Sequence, residues 1–224
     1  MIQRILIAMA LLIGTTATAI ASDVYLEQAG SSSTIDITQT GDGNRVGSSS
    51  EASTLKGGSA DVDITQTGSS NEIDIEQSGS VTSGSDIDLT QTGSNNIVDI
   101  DTDGAEDVIV SVTQTGDDNE VNVCGTITAG TLSGGVVTDG SCASEMTQAD
   151  FAADISVTGD GNNVNVGRSG VAGTSGTTEV SVDIGSTTAS NYNVVNIDQS
   201  DTSQSGLVDL TVDGDSNVVN ITQD

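Results

Sequence analysis

The 224-residue sequence predicts an all-β fold, a β-solenoid of stacked strand–turn–strand repeats with two facing parallel sheets and about seven to eight rungs. Three observations carry this. Short segments alternate apolar and polar residues strictly, as a strand with one buried face does. Paired segments are joined by a short stretch holding Gly and Asn, which accept a positive φ cheaply and so suit a tight reversal. The unit then recurs, with Gly41, Gly68, Gly93 and Gly116 lying 27, 25 and 23 residues apart.

The clearest unit is Val62–Gln77. It reads Val62-x-Ile64-x-Gln66-x-Gly68-x-x-Asn71-x-Ile73-x-Ile75-x-Gln77. Upstream stands Ile35-x-Ile37-x-Gln39-x-Gly41-x-x-Asn44-x-Val46; downstream come the copies through Gln91, Gly93 and Asn96 and through Gln114, Gly116 and Asn119. Three looser copies follow: one through Gly159 and Asn162, one with a longer turn through Asn193 and Gln199, and one through Gly214, Asn217 and Gln223. Their first Gln slot holds Val157, Ile184 or Val212, and Val24-x-Leu26-x-Gln28 reads as an isolated second half.

The pattern Gln-x-Gly-x-x-Asn followed by alternating apolar positions and a closing Gln resembles the curlin repeat of bacterial curli subunits. The resemblance covers roughly residues 34–224. Longer linkers, scarce aromatics and heavier acidity depart from that family's pattern. The resemblance implies export to the cell surface through the periplasm and an outer-membrane secretion machinery. It also implies nucleation by a partner curlin subunit, and roles in adhesion and biofilm matrix.

Residues 1–21 read as a secretory signal: Arg4, the apolar run Ile5–Ile13, then Ala19-Ile20-Ala21 as a small-residue cleavage site. The run is too short to span a bilayer. A short segment with the half repeat (22–33) precedes the array (34–224). Cys124 and Cys142 are an even pair in a chain read as exported, and are expected to form a disulfide worth roughly 3 kcal/mol in the chain-entropy model. Residues 125–152 between rungs are either a stapled insertion or a degenerate rung.

Pro is absent and aromatics make up 1%, so an ordinary globular core is hard to build; the composition suits thin stacked rungs with small aliphatic cores, or a chain that orders only on assembly. With 33 acidic residues against 4 basic ones the net charge is −29, which repels phosphates and excludes nucleic acid as a partner. Divalent cations and basic surfaces are the compatible ligands, although neither an EF-hand nor a Gly-rich calcium repeat occurs. There is no His, no nucleophile elbow and no phosphate loop, so no enzyme and no cofactor is expected.

Stacking in register would set like residues about 4.8 Å apart. Gln39, Gln66, Gln91 and Gln114 then form one amide ladder and Asn44, Asn71, Asn96 and Asn119 another. On the outward face Thr38, Thr65, Thr90 and Thr113 align, as do Thr40, Thr67, Thr92 and Thr115, while Asp36, Asp63 and Asp88 repel one another. Asn122, Asn165, Asn196 and Asn220 replace the acidic Asp74 and Asp99 in the second strand and can ladder without repulsion. Asp42, Asp117, Asp160 and Asp215, beside the turn glycines, are expected to close Asx-type turns.

The function expected is a secreted structural subunit that self-assembles through its open edges into extracellular amyloid fibres, a homo-oligomer. The alternative is a monomeric solenoid that presents its Thr or Asp columns to ice, mineral or glycan.

Overall fold

The computed structural model describes residues 23–24, 26–29, 32–47, 53–56, 59–78, 86–103, 108–124, 126–133, 136–144, 151–168, 178–185, 188–199 and 207–223. The signal segment 1–21 lies outside them. Among the described residues there is no helix.

Each repeat puts one strand in each of two parallel sheets. The half repeat supplies β1 (Asp23–Val24) and β2 (Leu26–Ala29). The first rung holds β3 (Ser32–Thr40), β4 (Arg45–Val46) and β5 (Ser53–Lys56); the second holds β6 (Ser59–Ser69) and β7 (Glu72–Ser78). The third holds β8 (Thr90–Ser94) and β9 (Ile97–Asp103), and the fourth β10 (Val108–Ile109), β11 (Val112–Thr115) and β12 (Glu120–Cys124). Between rungs four and five come β13 (Thr126–Thr128), β14 (Thr131–Ser133), β15 (Val136–Thr138) and β16 (Ser141–Ser144). The fifth rung holds β17 (Phe151–Ala152), β18 (Ile155–Thr158) and β19 (Asn163–Arg168). The sixth holds β20 (Thr178–Ile184) and β21 (Val194–Gln199), and the last β22 (Leu207–Val212) and β23 (Val218–Gln223).

The first strands of the rungs stack as one sheet, running from β3 through β6, β8, β11, β18 and β20 to β22. The second strands stack as the other, from β1 and β2 through β7, β9, β12, β19 and β21 to β23. Pairing is parallel and keeps like on like: Gln66 opposes Gln91, Gly68 opposes Gly93, and Ile75 opposes Ile100. A slip of one residue would turn every apolar side chain outward, so the alternation itself holds this register.

Between the sheets runs one narrow aliphatic core that includes Ile64, Ile73, Ile75, Leu89, Val98, Ile100, Val121, Ile155, Val164 and Ile197. Each such side chain contributes roughly 1.5–3 kcal/mol by leaving water. Five turns, the second to the sixth, are covered on both sides, fewer than the seven to eight rungs the repeats predict. The end layers are thinner: Ile35 and Ile37 at one end and Leu210, Val219 and Ile221 at the other are only partly buried.

One interruption is local. In the third rung pairing begins only at Thr90, after Leu89 takes a left-handed φ of +41°. Asp36 therefore pairs in register with Asp63, while Asp88 stands just before the paired segment. Burial and the neighbouring Asp86, Asp63 and Asp61 raise the Asp88 pKa, the electrostatic cost expected of stacked carboxylates.

Candidate functional site

The reversals are the most regular part of the molecule. Gly41, Gly68, Gly93, Gly116 and Gly159 have φ between +110° and +128°. A Cβ on any of the first four would fall within 2.0 Å of the carbonyl oxygen of the next glycine in the column. The column thus needs glycine twice over, for its φ and for its close approach. In the sixth rung its place is taken by buried Ser190, whose oxygen lies where a Cβ on Gly159 would point. That substitution hid the residue from the repeat pattern.

The asparagines do not supply the second left-handed residue, as their presence in the turn led one to expect. That residue precedes each of them: Ser70, Asn95, Asp118 and Tyr192 have φ of +57° to +58°. Asn is required for its side chain. The amide N–H and the Nδ2 of Asn71 both donate to Asn44 Oδ1, at 3.1 and 3.0 Å, while Asn71 Nδ2 also donates to Gly93 O at 3.0 Å. The same bonds recur at Asn96, Asn119 and Asn162, and the column runs on through Asn193 to Asn217. Asn44, Asn71, Asn96, Asn119, Asn162 and Asn193 are fully or almost fully buried, so the column satisfies polar groups that water cannot reach.

The glutamine ladder is shorter. Gln39 donates to Gln66 at 2.7 Å, Gln66 to Gln91 at 2.9 Å, and Gln91 to Gln114 at 2.9 Å. A second bond from Nε2 to the facing strand, such as Gln91 to Glu72 O at 3.1 Å, fixes each amide. The ladder stops at Gln114 because Val157 opposes it in the next rung. Gln77 stands opposite Leu55 and Thr102, so no glutamine column passes through it. Gln199 donates to Gln223 at 2.8 Å, while among the described residues its buried Oε1 has no partner; Arg168, not a glutamine, holds that register position one rung earlier.

The turn carboxylates bridge rungs rather than closing their own turns. Asp117 Oδ1 accepts from Ser94 N at 2.7 Å, Asp160 Oδ1 from Asp117 N at 2.9 Å, and Asp215 Oδ1 from Asn191 N at 2.8 Å. Backbone N–H groups at the corner find their partner one layer on, which the local sequence does not signal.

Residues 126–133 and 136–144 form two small antiparallel pairs, β13 with β16 and β14 with β15, not another rung. Cys124 and Cys142 are disulfide-bonded across this insertion, with Cα atoms 5.8 Å apart. The insertion folds back onto the outer face of the second sheet. Gly130 N donates to Asn196 Oδ1 at 2.8 Å, Asn196 Nδ2 donates to Gly130 O at 3.0 Å, and Gly140 N donates to Asn163 Oδ1 at 3.2 Å. The Asn122–Asn165–Asn196–Asn220 ladder, expected on a solvated face, has links of 2.9, 2.8 and 2.8 Å, and its first three members are buried. Only Asn opposite Asn survives such covering, since an Asp column would bury like charges.

Beside this cover, Glu120 accepts from Asn122 Nδ2 at 2.8 Å and faces Asp139 of the insertion, with Asp99 nearby. Burial, and then the Asp139 and Asp99 carboxylates, push Glu120 up to about 7 against the Asn122 hydrogen bond. A raised carboxyl pKa means the folded state holds the proton longer than the unfolded chain. The resulting stability is complete below the ordinary value of 4.5 and is lost as pH rises through about 7. Urea midpoints measured from pH 4.5 to 8 should therefore fall for the parent chain and fall less for Glu120→Gln. Parallel curves would remove Glu120 from the account.

The family model described as the curlin associated repeat matches residues 30–79 and, in an overlapping match, 57–93. Residues 30–93 thus match the curlin associated repeat. The curlin register seen in those residues continues through the later rungs, where Asn162, Asn193 and Asn217 extend the same column. Curlin repeats are structural units, and the ladders here are rows of like amides rather than a convergent catalytic group. Comparison with curated proteins and with solved structures finds no match.

Proposed function

We propose that this chain is a secreted structural subunit that polymerises end to end into an extracellular curli-like fibre serving adhesion and biofilm matrix. The observation that carries the reading is the pair of open edges. Among the described residues β3 ends the first sheet on one side and β22 on the other, while β1–β2 and β23 end the second. An unpaired edge presents a row of N–H and C=O groups that templates another strand. In-register like-on-like pairing offers an incoming copy the same ladders that hold the rungs together. Export by way of the periplasm, an outer-membrane secretion machinery and a partner nucleating subunit belong to this reading through the curlin repeat.

The net charge of −29 opposes association, and register pairs such as Asp36 with Asp63 and Asp74 with Asp99 stack acid on acid. Growth should accordingly speed up with acid, salt or calcium, which reduce that repulsion. The test follows thioflavin T fluorescence and sedimentation of residues 22–224 with and without preformed seeds. A lag shortened by seeds, and shortened further by salt, is the expected result; a stable β-rich monomer that ignores seeds would sink the fibre.

A second reading has one observation in its favour. Thr38, Thr65, Thr90 and Thr113 are register partners, as are Thr40, Thr67, Thr92 and Thr115, which makes an ordered hydroxyl array on the outer face. A non-seeding monomer with thermal hysteresis or mineral binding would favour that surface.

A further inference from the structure

The two ends of the stack are not flush. At one end β22 and β23 close both sheets in the same layer. At the other the second sheet runs one layer further, because β1 and β2 lie beyond β4 and β5 and have no companion beyond β3 among the described residues. That extra half layer has one edge on its own chain and one edge facing outward.

Its residues match the opposite end of the molecule position by position. Carried along the register, Val24, Leu26 and Gln28 occupy the columns of Val219, Ile221 and Gln223. The first full rung does not match in this way. Its strand is broken between β4 and β5, and Ser53 and Leu55 hold the columns of Ile221 and Gln223. A second copy docking on β23 therefore finds apolar on apolar and Gln on Gln only in the half repeat. On β23 the core-facing Val219 and Ile221 are only partly buried, so apolar surface awaits cover there.

We infer that the joint between successive subunits is made by Asp23–Ala29 of one copy, laid in parallel on β23 of another, with Val24 opposite Val219, Leu26 opposite Ile221 and Gln28 opposite Gln223. This deepens the fibre reading above and rests on it. The half repeat is then the strand that joins copies. The joint fills only the second sheet and leaves a slot of roughly two strand spacings, about 9.6 Å, between β22 and the β3 of the next copy. Half-buried Leu210 and the two partly buried residues Ile35 and Ile37 border that slot. The joint is consequently weaker than a contact between interior rungs, and fibres break there.

The test uses pairs of variants of residues 22–224, each with one cysteine added to the intact Cys124–Cys142 disulfide, seeded together and oxidised. Glu27→Cys mixed with Thr222→Cys places the two thiols on adjacent strands about 4.8 Å apart, within disulfide reach. Thr54→Cys mixed with Thr222→Cys places them a layer further apart, beyond it. Circular dichroism checks that each variant keeps its β-structure. If the joint is as inferred, fibres of the first mixture give a disulfide-linked dimer band, lost on reduction, and fibres of the second give none. Seeded fibres that cross-link through position 54, or through neither pair, overturn the joint and leave the fibre standing. An absence of seeded fibres in the parent chain overturns both.

Discussion

Gly93→Ala is expected to cost roughly 3–5 kcal/mol, which is the extreme tail of single substitutions and a large share of a domain's total stability. A Cβ at Gly93 would sit 1.9 Å from Gly116 O and 2.7 Å from Gly116 C, and both are backbone atoms that no rotamer change can move. The residue also has φ +125°, a region that alanine enters only under strain of about 1–3 kcal/mol. Relief requires the third and fourth rungs to separate at the corner. That would break the Gly116 N to Thr92 O bond of 2.9 Å and the Asn96 Nδ2 to Gly116 O bond of 2.8 Å. Gly214→Ala is the matched control. It has φ +101°, but a Cβ there would meet only Asn217 Nδ2, at 3.8 Å, so only the backbone strain remains. Urea unfolding followed by circular dichroism should place the Gly93 variant well below the Gly214 variant. Equal midpoints would mean that close packing of the corner is not what demands glycine.

The contrast shows which parts of the stack were legible in the sequence. Strict alternation from Val62 to Gln66 and from Ile73 to Gln77 defines strands, because a period of two has only one sided solution. Recurrence of Gly, x, x and Asn defines the stacking register, since a corner that excludes a Cβ leaves one residue type. Other features depend on contacts between layers. The Asn ladder was legible from its fixed offset, but its bonds to the glycine carbonyls were not, and Asp117 and Asp160 look like turn chemistry until their hydrogen bonds are seen to run from rung to rung. Ser190 was missed because it supplies a backbone oxygen to the glycine column without being glycine. The cover formed by residues 126–133 and 136–144 was invisible for a different reason. Asn122, Asn165 and Asn196 sit on the outward phase of their strands, and alternation alone cannot tell an outward face in water from one under an insertion. The glycines that make contact possible, Gly130 and Gly140, lie outside any repeat.

Asn119→Ala is the second large effect, and it separates the corner's polar bonds from its sterics. Asn119 is 1% exposed. Its Nδ2 donates to Asn96 Oδ1 at 3.1 Å and to Gly159 O at 2.7 Å, and its own Oδ1 accepts from Asn162 N and Nδ2 at 3.0 Å. Alanine fits the space but removes all of these at once. Buried groups on both neighbouring rungs are then left without partners, at about 1–3 kcal/mol for each group that water cannot reach. The sum is roughly 3–5 kcal/mol after local relaxation, which lowers the melting temperature by about 10 °C for a chain of this size. Asn217→Ala, in the half-buried end rung, breaks the same kind of link where solvent can replace it, and should cost about 1 kcal/mol. Asn119→Asp keeps the shape while removing both donors and burying a charge, so it should be worse than alanine at neutral pH and recover part of the difference in acid. If Asn119→Ala and Asn217→Ala melt together, the column is decoration on a stack held by its aliphatic core alone.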